Sequence, residues 1–202
     1  MSIRRRTLVA AAAVSCLAHA ALAADSPRAI VEKMTQAAVE VLGRKDLSGE
    51  EKRHRIEDLA YANVDFETMS RLVLARNWSQ LSAAQRTEFV QLFKEHLALT
   101  YGRNIENYNN EKVQVVSEHD EGRGDWTVKT KILRGGGNAD VLVDYRLRQE
   151  NGAWRIIDIV IERVSLVANF RSQFQEIMSG GGPAKLLDVL REKNAKGEPL
   201  KS

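Results

Sequence analysis

Asp158 and Glu162 are the strongest candidates for catalysis in the sequence. They lie four residues apart in the apolar segment 154–162, on one face of a predicted strand. A carboxyl group in apolar surroundings can have a raised pKa and act as a general base. In the competing interpretation, which we favour, Asp158 pairs with Arg155 or Arg171 or accepts a backbone hydrogen bond, since structural ion pairs also perturb carboxylates.

Histidines that could bind a metal are scattered along the chain. His54, His96 and His119 lie on different predicted elements, and none is followed three or four residues later by another histidine or a cysteine. Zinc sites usually show such clustering. His96 lies on an aromatic helix face, where a buried structural histidine is the favoured interpretation. The sequence therefore predicts neither a metal nor a cofactor.

Other nucleophile and phosphate-binding patterns are incomplete. Ser165 lacks the flanking glycines of a nucleophile elbow and is interpreted as a helix N-cap. The run Gly135-Gly136-Gly137 lacks the lysine and hydroxyl residue of a phosphate loop and is predicted to be a hairpin loop. The only cysteine, Cys16, lies in a predicted signal peptide. These patterns favour a protein that is not an enzyme.

Capping signals and apolar periodicity predict four helices in the first half of the chain. Their predicted N-caps are Ser26, Ser48, Asp65 and Ser82. The last of these helices is the longest, with an apolar and aromatic stripe from Phe89 to Tyr108 at three- and four-residue spacing.

After residue 112 the apolar period changes from 3.6 to 2, which indicates antiparallel strands with one apolar face. Asn151-Gly152 predicts a tight hairpin. The segment 154–162 is apolar on both faces and predicts a central strand, and helices follow over 168–179 and around Leu186 to Leu190. Helices followed by about four strands predict an α+β fold, with helices packed on an antiparallel sheet.

The first 23 residues have the features of an export signal. Three arginines from Arg4 precede an apolar run and the small-residue sequence Ala21-Leu22-Ala23, which predicts a Sec-type signal peptide cleaved after Ala23. A twin-arginine signal is the less favoured alternative. Residues 24–202 carry 27 basic and 27 acidic side chains. This balance excludes a strongly basic nucleic-acid-binding protein.

Several motifs in a fixed order resemble the MlaC (toluene-tolerance) family of periplasmic phospholipid-binding proteins, over nearly the whole mature chain. In chain order they are Asp65-Phe66, Arg71-Leu72-Val73-Leu74, Trp78, Ala84-Gln85-Arg86, Phe89, Phe93, Leu97, Tyr101-Gly102, Trp154-Arg155-Ile156-Ile157-Asp158, Val164-Ser165-Leu166 and Asn169-Phe170-Arg171-Ser172-Gln173-Phe174.

The resemblance implies helices over a curved, NTF2-like antiparallel sheet that encloses an apolar lipid pocket. It implies a periplasmic carrier that moves phospholipid between an outer-membrane lipoprotein–porin complex and an inner-membrane ABC transporter, maintaining outer-membrane lipid asymmetry. We expect one lipid-binding domain over residues 24–195, with a helical N-terminal part, and a flexible tail over 196–202.

On this basis the pocket walls are predicted from the long helix, the apolar strand faces, the segment after residue 163 and the facing third helix. The predicted lipid-binding residues are Met69, Val73, Phe93, Leu97, Tyr101, Ile105, Val128, Ile132, Val143, Tyr145, Val164, Val167, Phe170 and Phe174. Each is equally compatible with a filled core.

Two residues depart from the family pattern. Arg163 and Ala75 stand where the family usually has glycine, and side chains there can reshape a cavity mouth. Three alternatives stay open: a hopanoid or other sterol-like cargo, an isomerase-like enzyme with Asp158 as base, and an adaptor with a solid core.

Overall fold

An open antiparallel sheet packed against helices is formed by residues 25–102 and 108–200, the part of the chain that the computed structural model describes. In this part there are six α-helices: α1 Pro27–Gly43, α2 Gly49–Asn63, α3 Phe66–Leu74, α4 Ala83–Gly102, α5 Leu166–Ser179 and α6 Gly182–Lys196, with a 3₁₀ helix, Ala75–Gln80, after α3. The five strands are β1 Lys112–Gly122, β2 Asp125–Leu133, β3 Val141–Glu150, β4 Ala153–Ile161 and β5 Val164–Ser165, in sequential order across the sheet. The α+β prediction is confirmed. The predicted signal peptide and its cleavage site lie outside the described residues.

The predicted helix starts are also confirmed, because each cap makes its expected hydrogen bond. The Ser26 hydroxyl accepts from the Ala29 N–H at 3.1 Å. Ser48 and Glu51 form a reciprocal capping box at the start of α2. The Asp65 carboxylate accepts from the Thr68 N–H at 2.9 Å. These bonds satisfy donors that the first turn of a helix leaves unpaired.

Alternation in the strands separates an inner, apolar face from an outer, polar face. Val128 pairs with Tyr145, and Tyr145 pairs with Ile159, so these three side chains share the inner face. On the outer face, Lys129 pairs with Asp144. The hairpin prediction at 151–152 is confirmed, since Asn151 and Gly152 have φ values of 50° and 81°, as a type I′ turn requires.

The prediction that 154–162 is a central strand is wrong. β4 pairs with β3 along its length, but on its other side it has only the two-residue β5 and a single parallel bridge from Val64 to Ile156. A bulge opposite Arg146 and Leu147 shifts the register, so Ile156 pairs with the inner-face residue Leu147. The apolar residues on both sides of this strand therefore have two causes. The bulge shifts the alternation of side chains between the two faces, and the helices bury part of the strand.

A solid core fills the end of the molecule where α4, α5 and α6 meet. Its centre is a cluster of four phenylalanines in which five ring pairs have centroids 5.1–5.7 Å apart: Phe89, Phe93, Phe170 and Phe174. Leu186, Leu187 and Leu190 of α6 are buried in the same cluster of side chains. Edge-to-face ring pairs of this kind stabilise a core beyond their buried area.

The C-terminal part of the chain packs against the core. The last helix is 15 residues long, where a short one was expected. Leu200, in the predicted flexible tail, packs partly buried against the core, and its N–H donates to His96 Nε2 at 3.4 Å. None of the helices in the described part of the chain is both long and apolar enough to cross a membrane.

Ala75→Gly should stabilise the protein. Ala75 follows α3 with φ 48° and ψ −124°, a backbone conformation that glycine adopts far more readily than alanine. Relief of this strain outweighs the extra entropy of glycine in the unfolded chain, so the free energy of unfolding should rise by about 1–2 kcal/mol. Urea denaturation of the two proteins measures the difference.

The exposed helical alanine Ala62 provides the control for this substitution. Ala62→Gly, in α2, should destabilise by up to about 1 kcal/mol because helical backbone favours alanine. A loss of stability in both variants would contradict the conformation assigned to Ala75.

Candidate functional site

An apolar cavity of about 430 Å³ lies between the inner face of the sheet and helices α2, α3 and α4. This volume falls within the ~300–1,000 Å³ typical of ligand pockets. Its walls are Ile56, Glu57, Ala60, Tyr61, Val64, Phe66, Met69, Lys94, Leu97, Ala98, Tyr101, Gly102, Ile132, Val143, Tyr145, Ile159, Ile161 and Leu166.

Burial along the inner face shows where the interior changes from solid to hollow. On β3, Leu147 is fully buried in the core, whereas Tyr145 is only partly buried and lines the cavity. Helix α2 has no fully buried residue, because its apolar residues Ile56 and Ala60 face the cavity. Apolar side chains that line an empty space retain their accessible surface, which an apolar ligand can cover.

Helix α4 contributes to both regions. Near the middle of the helix, Phe89 and Phe93 pack in the phenylalanine cluster. On another side of the helix, towards its end, Lys94, Leu97 and Tyr101 line the cavity. The apolar stripe predicted for this helix therefore has two different environments.

The structure brings six of the predicted lipid-binding residues to the cavity: Met69, Leu97, Tyr101, Ile132, Val143 and Tyr145. Six others are buried in the solid core and do not line it: Val73, Phe93, Val128, Val167, Phe170 and Phe174. Val164, at 55% exposure, lies outside the cavity. Ile105 lies outside the described residues. Contact of any of these side chains with lipid stays a prediction.

Sequence reasoning missed the contribution of α2 and of the loop after it. Ile56, Ala60 and Tyr61 of α2 line the cavity, as do Val64 and Phe66 beyond it. α2 is a polar helix with few apolar residues, a composition that is typical of a helix facing solvent. Its apolar residues at 56 and 60 are four apart and therefore share a helix face, and this spacing was the available signal.

Few polar groups interrupt the cavity wall. Burial raises the pKa of Tyr145 to about 12, so its hydroxyl stays neutral at physiological pH. Glu57 and Lys94 are the only charged side chains among the described residues that line the cavity. Glu57 lies 3.6 Å from both Arg53 and His54. The cavity can therefore bind an apolar ligand without a large cost in buried charge.

The outer face of the sheet carries a larger depression, of about 790 Å³, with a charged lining. Three of its charged side chains lie together: Arg148 makes two hydrogen bonds to Asp125, at 2.6 and 2.9 Å, and Arg146 lies 3.8 Å from the same carboxylate. This polar surface is unsuited to an acyl chain, which makes the inner cavity the stronger candidate site.

Asp158 has a structural position on the outer side of β4. Its carboxylate accepts from the Ser165 hydroxyl at 2.6 Å and from the Val167 N–H at 3.1 Å. Ser165 in turn caps α5 by accepting from the Ala168 N–H. Asp158 therefore holds the start of α5 and does not line the apolar cavity, which supports the favoured structural interpretation over that of a catalytic base.

The histidines show no metal site. Across residues 25–102 and 108–200, no three His, Cys, Asp or Glu side chains form a group that could hold a metal ion. His96 is buried, and its Nδ1 lies 2.9 Å from Asn194 Oδ1. Because Nε2 accepts from Leu200, Nδ1 carries the proton of a neutral ring and donates to Asn194.

Stability should decrease at mildly acidic pH because of His96. Burial lowers the pKa of His96 below its ordinary value. The unfolded chain, with a histidine pKa of about 6.5, binds more protons than the folded chain as the pH falls below about 7. The free energy of unfolding should therefore decrease as the pH falls through 6.5 towards the folded-state pKa. Urea denaturation across this range measures the slope.

His96→Gln separates this effect from other titrations. Glutamine cannot gain the proton, so the decrease in stability over this pH range should become smaller in the variant. An unchanged slope would contradict the role assigned to His96.

The two departures from the family pattern do not reach the cavity. Arg163 and Ala75 are both exposed, and neither contributes to its wall. The expectation that their side chains reshape a cavity mouth is wrong for the described structure. Both have positive φ, 68° for Arg163 and 48° for Ala75, which gives a backbone reason for glycine at these positions.

Together, the open sheet, the overlying helices and the apolar cavity define an α+β protein with a cavity of the size that small ligands occupy. The family model for the MlaC protein matches residues 32–192. The chain belongs to the MlaC family.

Two curated relatives match much of this chain. The intermembrane phospholipid transport system binding protein MlaC of Haemophilus influenzae is 26% identical over 137 residues, 66% of this chain and 63% of that protein. The chain therefore spans less than two thirds of that relative. The toluene tolerance protein ttg2D of Pseudomonas putida is 26% identical over 191 residues, 89% of this chain and 84% of that protein.

A solved structure shares the fold. The phospholipid-binding protein of Ralstonia solanacearum, determined in complex with a phospholipid, has a TM-score of 0.77 to this chain at 23% identity. The match covers 86% of this chain and 99% of that one.

Proposed function

We propose that this protein is a periplasmic phospholipid carrier that binds acyl chains in the cavity between α2, α4 and the sheet. It carries lipid between an outer-membrane lipoprotein–porin complex and an inner-membrane ABC transporter, and so maintains outer-membrane lipid asymmetry. The observation that carries the proposal is the apolar cavity of about 430 Å³. Family membership and the names of the relatives support it.

Transfer energetics explain why such a carrier is needed. Exposing two acyl chains of about 16 carbons to water costs on the order of 25 kcal/mol, at about 0.8 kcal/mol per methylene. The cavity wall replaces part of this burial with Leu97, Ile132 and Ile159, among others. Binding of this kind needs neither a cofactor nor a catalytic group.

The alternatives have less support. The adaptor with a solid core does not fit a hollow interior lined by half-buried apolar residues. The isomerase-like enzyme needs a base, and Asp158 is bonded to Ser165 and Val167 away from the cavity. A hopanoid cargo fits an apolar wall, but the relatives are named for phospholipid.

Organic extraction of the purified mature protein, followed by mass spectrometry, tests the proposal. We expect roughly one phospholipid molecule per protein molecule, because the cavity has the volume of a pocket that binds a single small ligand. A hopanoid in the extract would identify the cargo as a hopanoid instead of a phospholipid. An empty protein that takes up no lipid from vesicles of phosphatidylethanolamine and phosphatidylglycerol would overturn the proposal.

A further inference from the structure

Lys94 is a cation in an otherwise apolar wall. It lies on α4 one residue after the core residue Phe93, is partly buried, and lines the cavity. Its ammonium group lies 3.4 Å from the ring centroid of Tyr61 and 5.8 Å from that of Phe66. The two rings form an edge-to-face pair with centroids 5.8 Å apart. The fold therefore places this cation at the cavity wall, next to the rings of Tyr61 and Phe66.

The ammonium group has no anionic partner in the described part of the chain. Most of the ion pairs there lie on the surface, as between Lys33 and Asp25 or Lys196 and Glu192, but none includes Lys94. Glu57, the one acidic residue of the cavity wall, lies 3.6 Å from the cations Arg53 and His54 instead. Aromatic rings attract a cation but accept no strong hydrogen bond, so the three N–H donors of Lys94 stay available.

We infer that Lys94 binds the phosphate of the lipid headgroup when the acyl chains occupy the cavity. This inference rests on the proposed carrier function and assigns its polar subsite. An oxygen of a phosphodiester anion accepts a charge-assisted hydrogen bond from the ammonium group, which is stronger than the ring contacts alone. The apolar wall fixes the acyl chains, and Lys94 selects for a phosphate at their polar end.

The same geometry disfavours recognition through a choline group. Aromatic side chains commonly bind quaternary ammonium ligands, but here the ammonium of Lys94 already occupies the face of Tyr61. A second cation at this place would be repelled. Lys94 therefore recognises the phosphate itself, whichever alcohol is esterified to it.

Binding of two lipids with identical acyl chains tests the assignment. Dioleoylphosphatidylglycerol and dioleoylglycerol compete with a fluorescent fatty acid for the delipidated protein, and the ratio of their Kd values measures the contribution of the phosphate. We expect wild type to prefer the phospholipid, and the preference to fall on the order of tenfold in Lys94→Met. Lys94→Arg should keep most of it.

Lys129→Met is the matched control, because Lys129 is an exposed cation on the opposite face of the sheet, and it should keep the wild-type ratio. An unchanged ratio in Lys94→Met, with both lipids still bound, would overturn the role of Lys94 and leave the carrier function intact. If wild type binds neither lipid, the carrier function fails and the inference with it. Displacement of the phospholipid by inorganic phosphate would assign the site to free phosphate rather than to a headgroup.

Discussion

Replacing Phe93 with alanine should lower the free energy of unfolding by about 3–5 kcal/mol, as expected for removal of a large buried aromatic side chain. Phe93 is fully buried and contacts three other rings, Phe89, Phe170 and Phe174, at centroid distances of 5.1–5.7 Å. Phe174 also contacts Phe89 and Phe170, so a shift of these rings into the vacated space would disturb the contacts that remain among them. Urea or thermal denaturation measures the loss.

Leu97→Ala, four residues later on the same helix, provides the comparison. Leu97 is partly buried and lines the cavity, so its removal enlarges an existing space and should cost only about 1 kcal/mol. The effect on lipid should be reversed: Leu97→Ala lowers the amount of lipid that copurifies, whereas folded Phe93→Ala keeps it. Equal losses of stability in the two variants would contradict the separation of solid core from cavity.

Local structure was predictable because its determinants are close together in the sequence. The bond from the Asp65 carboxylate to the Thr68 N–H spans three residues, and the turn at Asn151-Gly152 depends on two. Each of these patterns determines the backbone conformation of its own short segment. The α+β class followed from their order along the chain.

The strand order at β4 was not predictable from the same kind of pattern. A bulge shifts the pairing of β4 at Ile156, which changes the alternation between the two faces. The bridge to Val64 covers part of the strand's free side. Both features depend on partners distant in sequence, whereas apolar residues on both faces of a segment by themselves predict a central strand.

The boundary between core and cavity is also a property of the assembled fold. Phe93 and Leu97 lie on one apolar stripe of α4, yet Phe93 packs against Phe170 and Phe174 of α5, whereas Leu97 lines the cavity. Periodicity shows which face of a helix is apolar, but it does not show whether that face meets another side chain. The resemblance to a lipid-binding family supplied the expectation of a cavity, and the structure supplied its position.

Ala98→Trp should abolish most lipid binding while preserving the fold. Ala98 lies on the cavity side of α4, between Leu97 and Tyr101 along the helix. An indole ring at this position occupies space that acyl carbons would take. Each excluded methylene loses about 0.8 kcal/mol of burial, so excluding four lowers the affinity by about two orders of magnitude.

Ala84→Trp tests whether position within the cavity is responsible. Ala84 is exposed near the start of the same helix and does not line the cavity. Extraction and quantification of copurified phospholipid should give a wild-type load for Ala84→Trp and almost none for Ala98→Trp. The indole of Ala98→Trp covers the apolar wall, so thermal unfolding should occur at or above the temperature of delipidated wild type. A full lipid load in folded Ala98→Trp would mean that the acyl chains bind elsewhere, since the ring and the lipid cannot share one space of about 430 Å³.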